Sequence, residues 1–292
     1  MTARPLLPIA ARRLSGADDL SHSHPVWLCD VWGVVHDGTR ANPEACDALI
    51  RHRARGGAVI LMTNAPRRSP TVTRLFPIFG VPEGTHDAIV SSGDVTRRLI
   101  ERRAGETLHH LGPARDRDLL VDLPVTFGAF EDSSAVVCTG LLNDEDAPED
   151  YDPLLARMRE RSMPMICANP DRVVHVGPDL FWCAGALAER LEAIGGGVEM
   201  AGKPYAPIYD EALRLASVAL GRPVDRHEAL AIGDGLLTDI AGAARNGIDA
   251  LFIAGGIHRE ETAGVDAAGL GALIAGAAPG IRLAGVMDAL SW

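Results

Sequence analysis

The chain has 292 residues, 47% hydrophobic and 23% charged, a balance that suits one large or two medium globular domains and argues against disorder. A formal charge of −11 disfavours a nucleic-acid or anionic-membrane partner, since phosphate backbones are held by Lys and Arg. It does not exclude a small phosphorylated metabolite met by a local cation. Five cysteines (Cys29, Cys46, Cys138, Cys167, Cys183) are scattered and form no CxxC pair. They read as reduced thiols in a cytoplasmic protein, neither a disulfide frame nor a zinc site.

The N-terminal arm through Leu20 is expected to be loose. Its apolar patch, between Arg4 and Arg12-Arg13, is too short for a signal segment, and no stretch approaches a membrane span. Val26-Trp27-Leu28-Cys29 is an apolar run of the kind that forms a strand buried on both faces, and it ends in Asp30. A turn through Gly38 and Pro43 leads to a predicted helix from Glu44 to Arg55, stopped by Gly56-Gly57. Ala58 to Met62 is a second buried strand, broken by Thr63-Asn64-Ala65-Pro66, which completes a βαβ unit. A short helix from Ser69 to Phe79, a strand from Asp87 to Ser91 and a helix through Arg103 follow.

At Gly105 the texture changes to short strand candidates: Thr107 to Gly112, Val125 to Phe130, Ala135 to Gly140 and Met163 to Ala168. An acidic loop (Asn143 to Asp152) and a helix (Pro153 to Arg161) lie among them. This reads as a smaller α/β unit inserted into the first fold. The main pattern resumes with a helix from Gly185 to Ile194, then Lys203-Pro204 and a helix from Pro207 to Leu220. A strand, Ala229 to Ile232, ends at Gly233-Asp234; a helix (Asp239 to Asn246) and a strand (Ala250 to Ala254) close the pattern. The Ala- and Gly-rich tail from Gly255 offers no chemistry.

Asp30, Thr63-Asn64, Lys203 and the pair Asp234 and Asp239 each follow a strand or open a helix. Each alone is commonly a turn, a cap or a solvated charge. Together their chemistry is complementary. A carboxylate can attack phosphorus and carry it as an acyl phosphate. A Thr hydroxyl with neighbouring N–H groups can hold phosphoryl oxygens, and a Lys can stabilise the transition state. Paired carboxylates beside the nucleophile suit Mg²⁺, a hard ion that favours oxygen ligands.

The motif order Asp30-Val-Trp-Gly-Val, Met62-Thr-Asn-Ala, Gly202-Lys-Pro and Gly233-Asp-Gly-Leu-Leu-Thr-Asp-Ile resembles the haloacid dehalogenase superfamily of phosphohydrolases, in its class IIA branch, the NagD and p-nitrophenylphosphatase-like group. Asn169-Pro170-Asp171, Cys183 to Ala188 and Lys203 to Tyr209 extend the resemblance, which runs from about Val26 to Gly256. It implies an α/β fold: a Rossmann-like, doubly wound parallel-sheet core (1–104 and 186–292) with an inserted C2-type cap domain (105–185). It further implies a Mg²⁺-dependent phosphatase with Asp30 as nucleophile and Lys203 as its catalytic partner. Thr63, Asn64 and Lys203 would bind the phosphoryl group, with Asn169 and Asp171 on the substrate side. Asp30, Asp234, Asp239 and the main-chain carbonyl of Trp32 would hold the metal.

The chain departs from that pattern at Trp32, where these phosphatases carry a second Asp as general acid and base. An indole N–H only donates. Losing a positioned acid/base costs about 10²- to 10⁴-fold in rate, roughly 3 to 5.5 kcal/mol. Substrates whose leaving groups need little protonation, such as aryl or acyl phosphates, would tolerate the loss; otherwise another side chain, with His36 and Asp37 nearest, would supply the proton. Two alternatives stay open: a metal-independent dehalogenase-like hydrolase, since dehalogenases carry an aromatic residue at this place, and a catalytically weak phosphate-binding or regulatory protein. The sequence leaves the oligomeric state open, a homo-oligomer included.

Overall fold

The apolar run that ends in Asp30 has no polar alternation, so it needs cover on both faces. It has it: Val26–Asp30 is a strand buried at every residue, with a parallel partner on each side. The computed structural model describes residues 11–176 and 179–292. It divides into two compact units. The first takes the described residues up to Thr63, together with Thr73–Val90 and Lys203–Trp292.

Its six-stranded sheet has the spatial order Leu283–Met287, Asp249–Ile253, Ala229–Gly233, Val26–Asp30, Ala58–Thr63, Ala88–Ser91. The pairings from Leu283–Met287 across to Ala58–Thr63 are all parallel. The chain builds outward from Val26–Asp30 through Ala58–Thr63, then returns to its other side through Ala229–Gly233. The sheet is therefore doubly wound, and its winding reverses between those two central strands. Pro43–Ala54 is the first crossover helix, started by Asn42, whose side chain accepts the N–H of Ala45, with Pro43 at its first turn.

Several expectations needed correction. The arm is not loose where it is described: Ala11 and Ala17 are fully buried, and Leu14 N–H donates to the Val286 carbonyl at the sheet edge. Residues 1–10 of that arm lie outside the described residues. The helix expected over 69–79 is two pieces, Ser69–Thr73 and Phe76–Phe79, because Pro77 has no N–H to continue a helix. The helix expected from Asp239 starts as a π-turn, Leu236–Ile240, before Ala241–Arg245. The tail holds a helix, Ala267–Ala277, and the edge strand Leu283–Met287.

The second unit comprises Asn64–Val72 and Ser91–Gly202. It has its own five-stranded, all-parallel sheet in the order Val198–Met200, Met165–Cys167, Ala135–Cys138, Thr107–Leu111, Thr126–Phe127. An antiparallel strand pair, Val173–Val176 with Asp179–Trp182, belongs to it and was not expected. The unit is wider than the 105–185 of the sequence reading, because Val198–Met200 pairs with Met165–Cys167 and so brings the preceding helix Ala184–Ala193 with it. Among the described residues no helix is long and apolar enough to cross a membrane, and all five cysteines are free and buried.

Candidate active site

In open parallel sheets a crevice forms where the winding reverses, beyond the carboxyl ends of the two central strands. Asp30 is the last residue of one of these strands, and Asp234 follows the other directly. Carboxylate oxygens of Asp30, Asp234 and Asp239 lie within 4.8 Å of one another, and all three residues are buried. Lys203, delivered by the segment ahead of helix Ala206–Leu220, places Nζ 2.5 Å from Asp30 Oδ1 and 2.7 Å from Asp239 Oδ1. Thr63 ends the neighbouring strand, one residue beyond the Asp30↔Met62 pairing, and is also buried.

The surroundings of each carboxylate are specific. Asp239 Oδ2 accepts the Gly235 N–H at 3.0 Å, and Asp234 Oδ2 accepts the Ile257 N–H at 2.8 Å. Gly33 adopts φ +89°, and a Cβ there would fall 2.1 Å from Asp234 Oδ2, so only glycine lets the Asp30 turn close onto that carboxylate. Ile257 lies in the tail read as chemically silent. A backbone donor has no residue-type signature, so nothing in the sequence could have marked it.

The charges do not balance. Burial pushes the Asp30 carboxyl upward, and Asp239 and Asp234 add to that against the opposing pull of Lys203. Burial, reinforced by Asp239, raises Asp234 to about 6. Burial disfavours the Lys203 ammonium, but Asp239 and Asp30 outweigh it and hold the group well above its usual range. One ammonium thus faces three carboxylates. The donor set is all hard oxygen with negative charge in excess, which fits a divalent cation such as Mg²⁺. One sequence signal went unread: of 28 strongly basic residues, Lys203 is the only lysine. Its ammonium is a compact point charge with three donors, and two of them meet the buried carboxylates of Asp30 and Asp239.

The remaining expected site residues, Asn64, Asn169 and Asp171, belong to the second unit. In the second unit Asn64 Nδ2 donates to Asp171 Oδ1 at 2.9 Å, and Asn169 Oδ1 accepts the Asp171 N–H at 3.0 Å. Within the first unit Asp30, Lys203, Asp234 and Asp239 come together with Thr63 alongside, and within the second Asn64, Asn169 and Asp171 are linked. The amide of Asn64 is engaged with Asp171.

Both nearby candidates for a replacement proton donor, His36 and Asp37, accept hydrogen bonds within their own turn. His36 is buried, its Nδ1 takes the Gly38 N–H at 3.1 Å, and burial lowers its pKa despite Asp37. Asp37 accepts from the Thr39 hydroxyl at 2.6 Å and from the Thr39 and Arg40 N–H groups at 2.8 Å each, which hold its carboxyl well below the usual range.

Comparison with known proteins agrees with this geometry. A family model described as haloacid dehalogenase-like hydrolase matches residues 27–125, and a second, HAD-hydrolase-like model matches 200–271. The structure of a haloacid dehalogenase-like hydrolase from Brucella suis is 43% identical, with a TM-score of 0.79 over 96% of this chain and 99% of that one. A p-nitrophenyl phosphatase from Archaeoglobus fulgidus shares the fold at 20% identity, with a TM-score of 0.71 over 91% and 97% of the two chains. The 5'-nucleotidase YutF of Bacillus subtilis is 24% identical over 238 residues, 80% of this chain and 89% of that protein. Motif order, a doubly wound parallel core and these likenesses agree: the chain belongs to the haloacid dehalogenase-like hydrolases, in the class IIA branch, and is a hydrolase.

Proposed function

We propose that the protein is a Mg²⁺-dependent phosphatase acting on a small phosphorylated metabolite through an aspartyl-phosphate at Asp30. The observation that carries this reading is the buried cluster of Asp30, Asp234 and Asp239 around Lys203 at the reversal of the sheet. The names of its relatives, a 5'-nucleotidase and a p-nitrophenyl phosphatase, support the same class of substrate.

In this mechanism a carboxylate oxygen of Asp30 attacks phosphorus, and the ester oxygen leaves with its bonding electrons. Water then attacks phosphorus in the acyl phosphate, releasing inorganic phosphate and restoring Asp30. Lys203 keeps its proton and offers a fixed positive charge to the transferring group. Thr63 offers a hydroxyl to a phosphoryl oxygen from the adjacent strand end. Asp30, Asp234 and Asp239, with the Trp32 carbonyl, would hold Mg²⁺, which when bound offsets the excess negative charge and polarises the phosphoryl group. Asn64, Asn169 and Asp171 would serve the substrate side, with the second unit as the cap.

Hydrolysis of p-nitrophenyl phosphate tests the reading. Activity should require Mg²⁺, vanish with EDTA, and fall about 10³-fold or more in Asp30→Asn. Activity on a haloacid that survives EDTA would favour the dehalogenase alternative. Phosphate binding without turnover of any ester would make the protein a binding or regulatory member of its family.

A further inference from the structure

We infer that Trp32 is a substrate-binding residue that sets specificity: its indole is a fixed shelf on which the flat leaving group of an aromatic phosphate ester stacks. Aryl phosphates and phosphates carried on planar rings are then preferred over alkyl phosphates. The inference rests on the phosphatase reading and adds the substrate class to it.

Trp32 stands two residues beyond Asp30, and the next residue, Gly33, backs directly onto the Asp234 carboxylate. Trp32 therefore stands in the turn that borders the charge cluster. It is 51% exposed, although most bulky apolar side chains of this unit are buried. A rigid aromatic face kept in water on the turn that follows Asp30 is a surface that a flat ligand can cover.

The indole is also held still. Gly38, at φ +87°, lies under its six-membered ring, where a Cβ would come within 2.2 Å of the ring carbon Cη2. The His36 ring meets it edge-on, with centroids 5.5 Å apart and planes at 76°. His36 is fixed in turn by the Gly38 N–H and by the Phe79 ring, 4.7 Å away. Gly33 N–H donates to the His36 carbonyl at 2.8 Å, which closes the turn beneath. A shelf already ordered loses little entropy when a flat partner settles on it.

Leaving-group chemistry points the same way. Position 32 offers no proton, and both His36 Nδ1 and the Asp37 carboxylate are already engaged as acceptors within their own turn. Phenolic leaving groups, with a pKa near 10, depart with less need of protonation than alkoxides. They are also planar, so one side chain accounts for both the missing acid and the preferred shape.

The test compares wild type, Trp32→Leu and Trp32→Phe in two measurements. The first is the ratio of kcat/KM for 1-naphthyl phosphate to that for ethyl phosphate. The second is calorimetric affinity for phenylphosphonate relative to methylphosphonate, neither of which is hydrolysed. In Trp32→Leu both ratios should fall roughly 3- to 10-fold, the first through KM, and Trp32→Phe should recover most of the loss. Ratios that do not move, or two esters that weaken by the same factor, would overturn the inference while leaving the phosphatase reading intact. A wild type that hydrolyses no ester and binds neither phosphonate would instead remove the phosphatase reading itself.

Discussion

The two units are built on the same plan and carry opposite chemistry. Each has an all-parallel run of strands whose winding reverses beside its first strand. In the first unit the reversal falls between Val26–Asp30 and Ala229–Gly233, in the second between Thr107–Leu111 and Ala135–Cys138. At the first, strand ends deliver Asp30 and Asp234. At the second they deliver Gly112 and Thr139, and the Thr139 hydroxyl bonds His110 Nε2 at 3.0 Å. One crevice holds three crowded carboxylates around one ammonium; the other holds a hydroxyl paired with an imidazole and with the Asp116 carboxylate. The backbone supplies a place where a ligand can sit, and the residues at the strand ends decide whether chemistry happens there.

The widest separation between the two crevices should come from Lys203→Met. It leaves Asp30 and Asp239 buried without their ammonium, at a cost of about 3–5 kcal/mol in stability, and removes turnover as well. Mg²⁺ should raise the melting temperature of this variant more than that of wild type, because an added cation answers the same excess of negative charge. Equal responses in a thermal melt would mean that the carboxylates do not share one ion. Gly33→Ala comes next. A side chain at that left-handed position, driven into Asp234, should cost about 1–3 kcal/mol and lower kcat on p-nitrophenyl phosphate by more than its stability loss accounts for. Full activity would mean that Asp234 can move without consequence.

Much of the first crevice was legible because its signals are of two strong kinds. Apolar runs such as Val26 to Cys29 and Ala58 to Met62, short and rich in β-branched or aromatic residues, read as buried strands, and a carboxylate at the end of such a run is conspicuous. What was not legible has physical reasons. The Ile257 N–H that holds Asp234 is backbone, and Gly33 acts through an absent Cβ. Val198–Met200 is too short for any period to show, so the second unit was read as ending at 185. The arm at Ala11 and Ala17 is buried through pairing with a distant edge strand, which local sequence cannot reveal. Trp32 was legible as a departure, but its setting on Gly38 and His36 needed coordinates.

The second crevice gives a smaller and purely structural prediction. Thr139→Val removes the partner of His110 and the hydrogen bond that Thr139 gives to Asp116, leaving polar groups underpaired at about 1–3 kcal/mol. The kcat on p-nitrophenyl phosphate should not change once the protein is folded. A fall in kcat comparable to that of Gly33→Ala would mean that the second sheet takes part in turnover.

The last effect is a tilt in stability with pH, and it runs in opposite directions at the two crevices. Burial, with Arg117 and His109, lowers His110 to about 4. Between that value and the ordinary 6.5 the unfolded chain binds more protons than the folded one, so this contribution is complete above about pH 6.5 and is lost as pH falls toward 4. Asp234 is raised to about 6, so in the absence of Mg²⁺ the folded chain binds the extra proton. Its contribution is complete below about pH 3.8 and is lost as pH rises through 6. Urea midpoints measured without divalent ions from pH 4.5 to 7.5 separate the two. His110→Gln should flatten the acid side of the profile and Asp234→Asn the neutral side, and Mg²⁺ should act on wild type as Asp234→Asn does. If both variants keep the wild-type profile, neither group is tuned by its crevice, and the contrast between the two strand-end sites does not hold in solution.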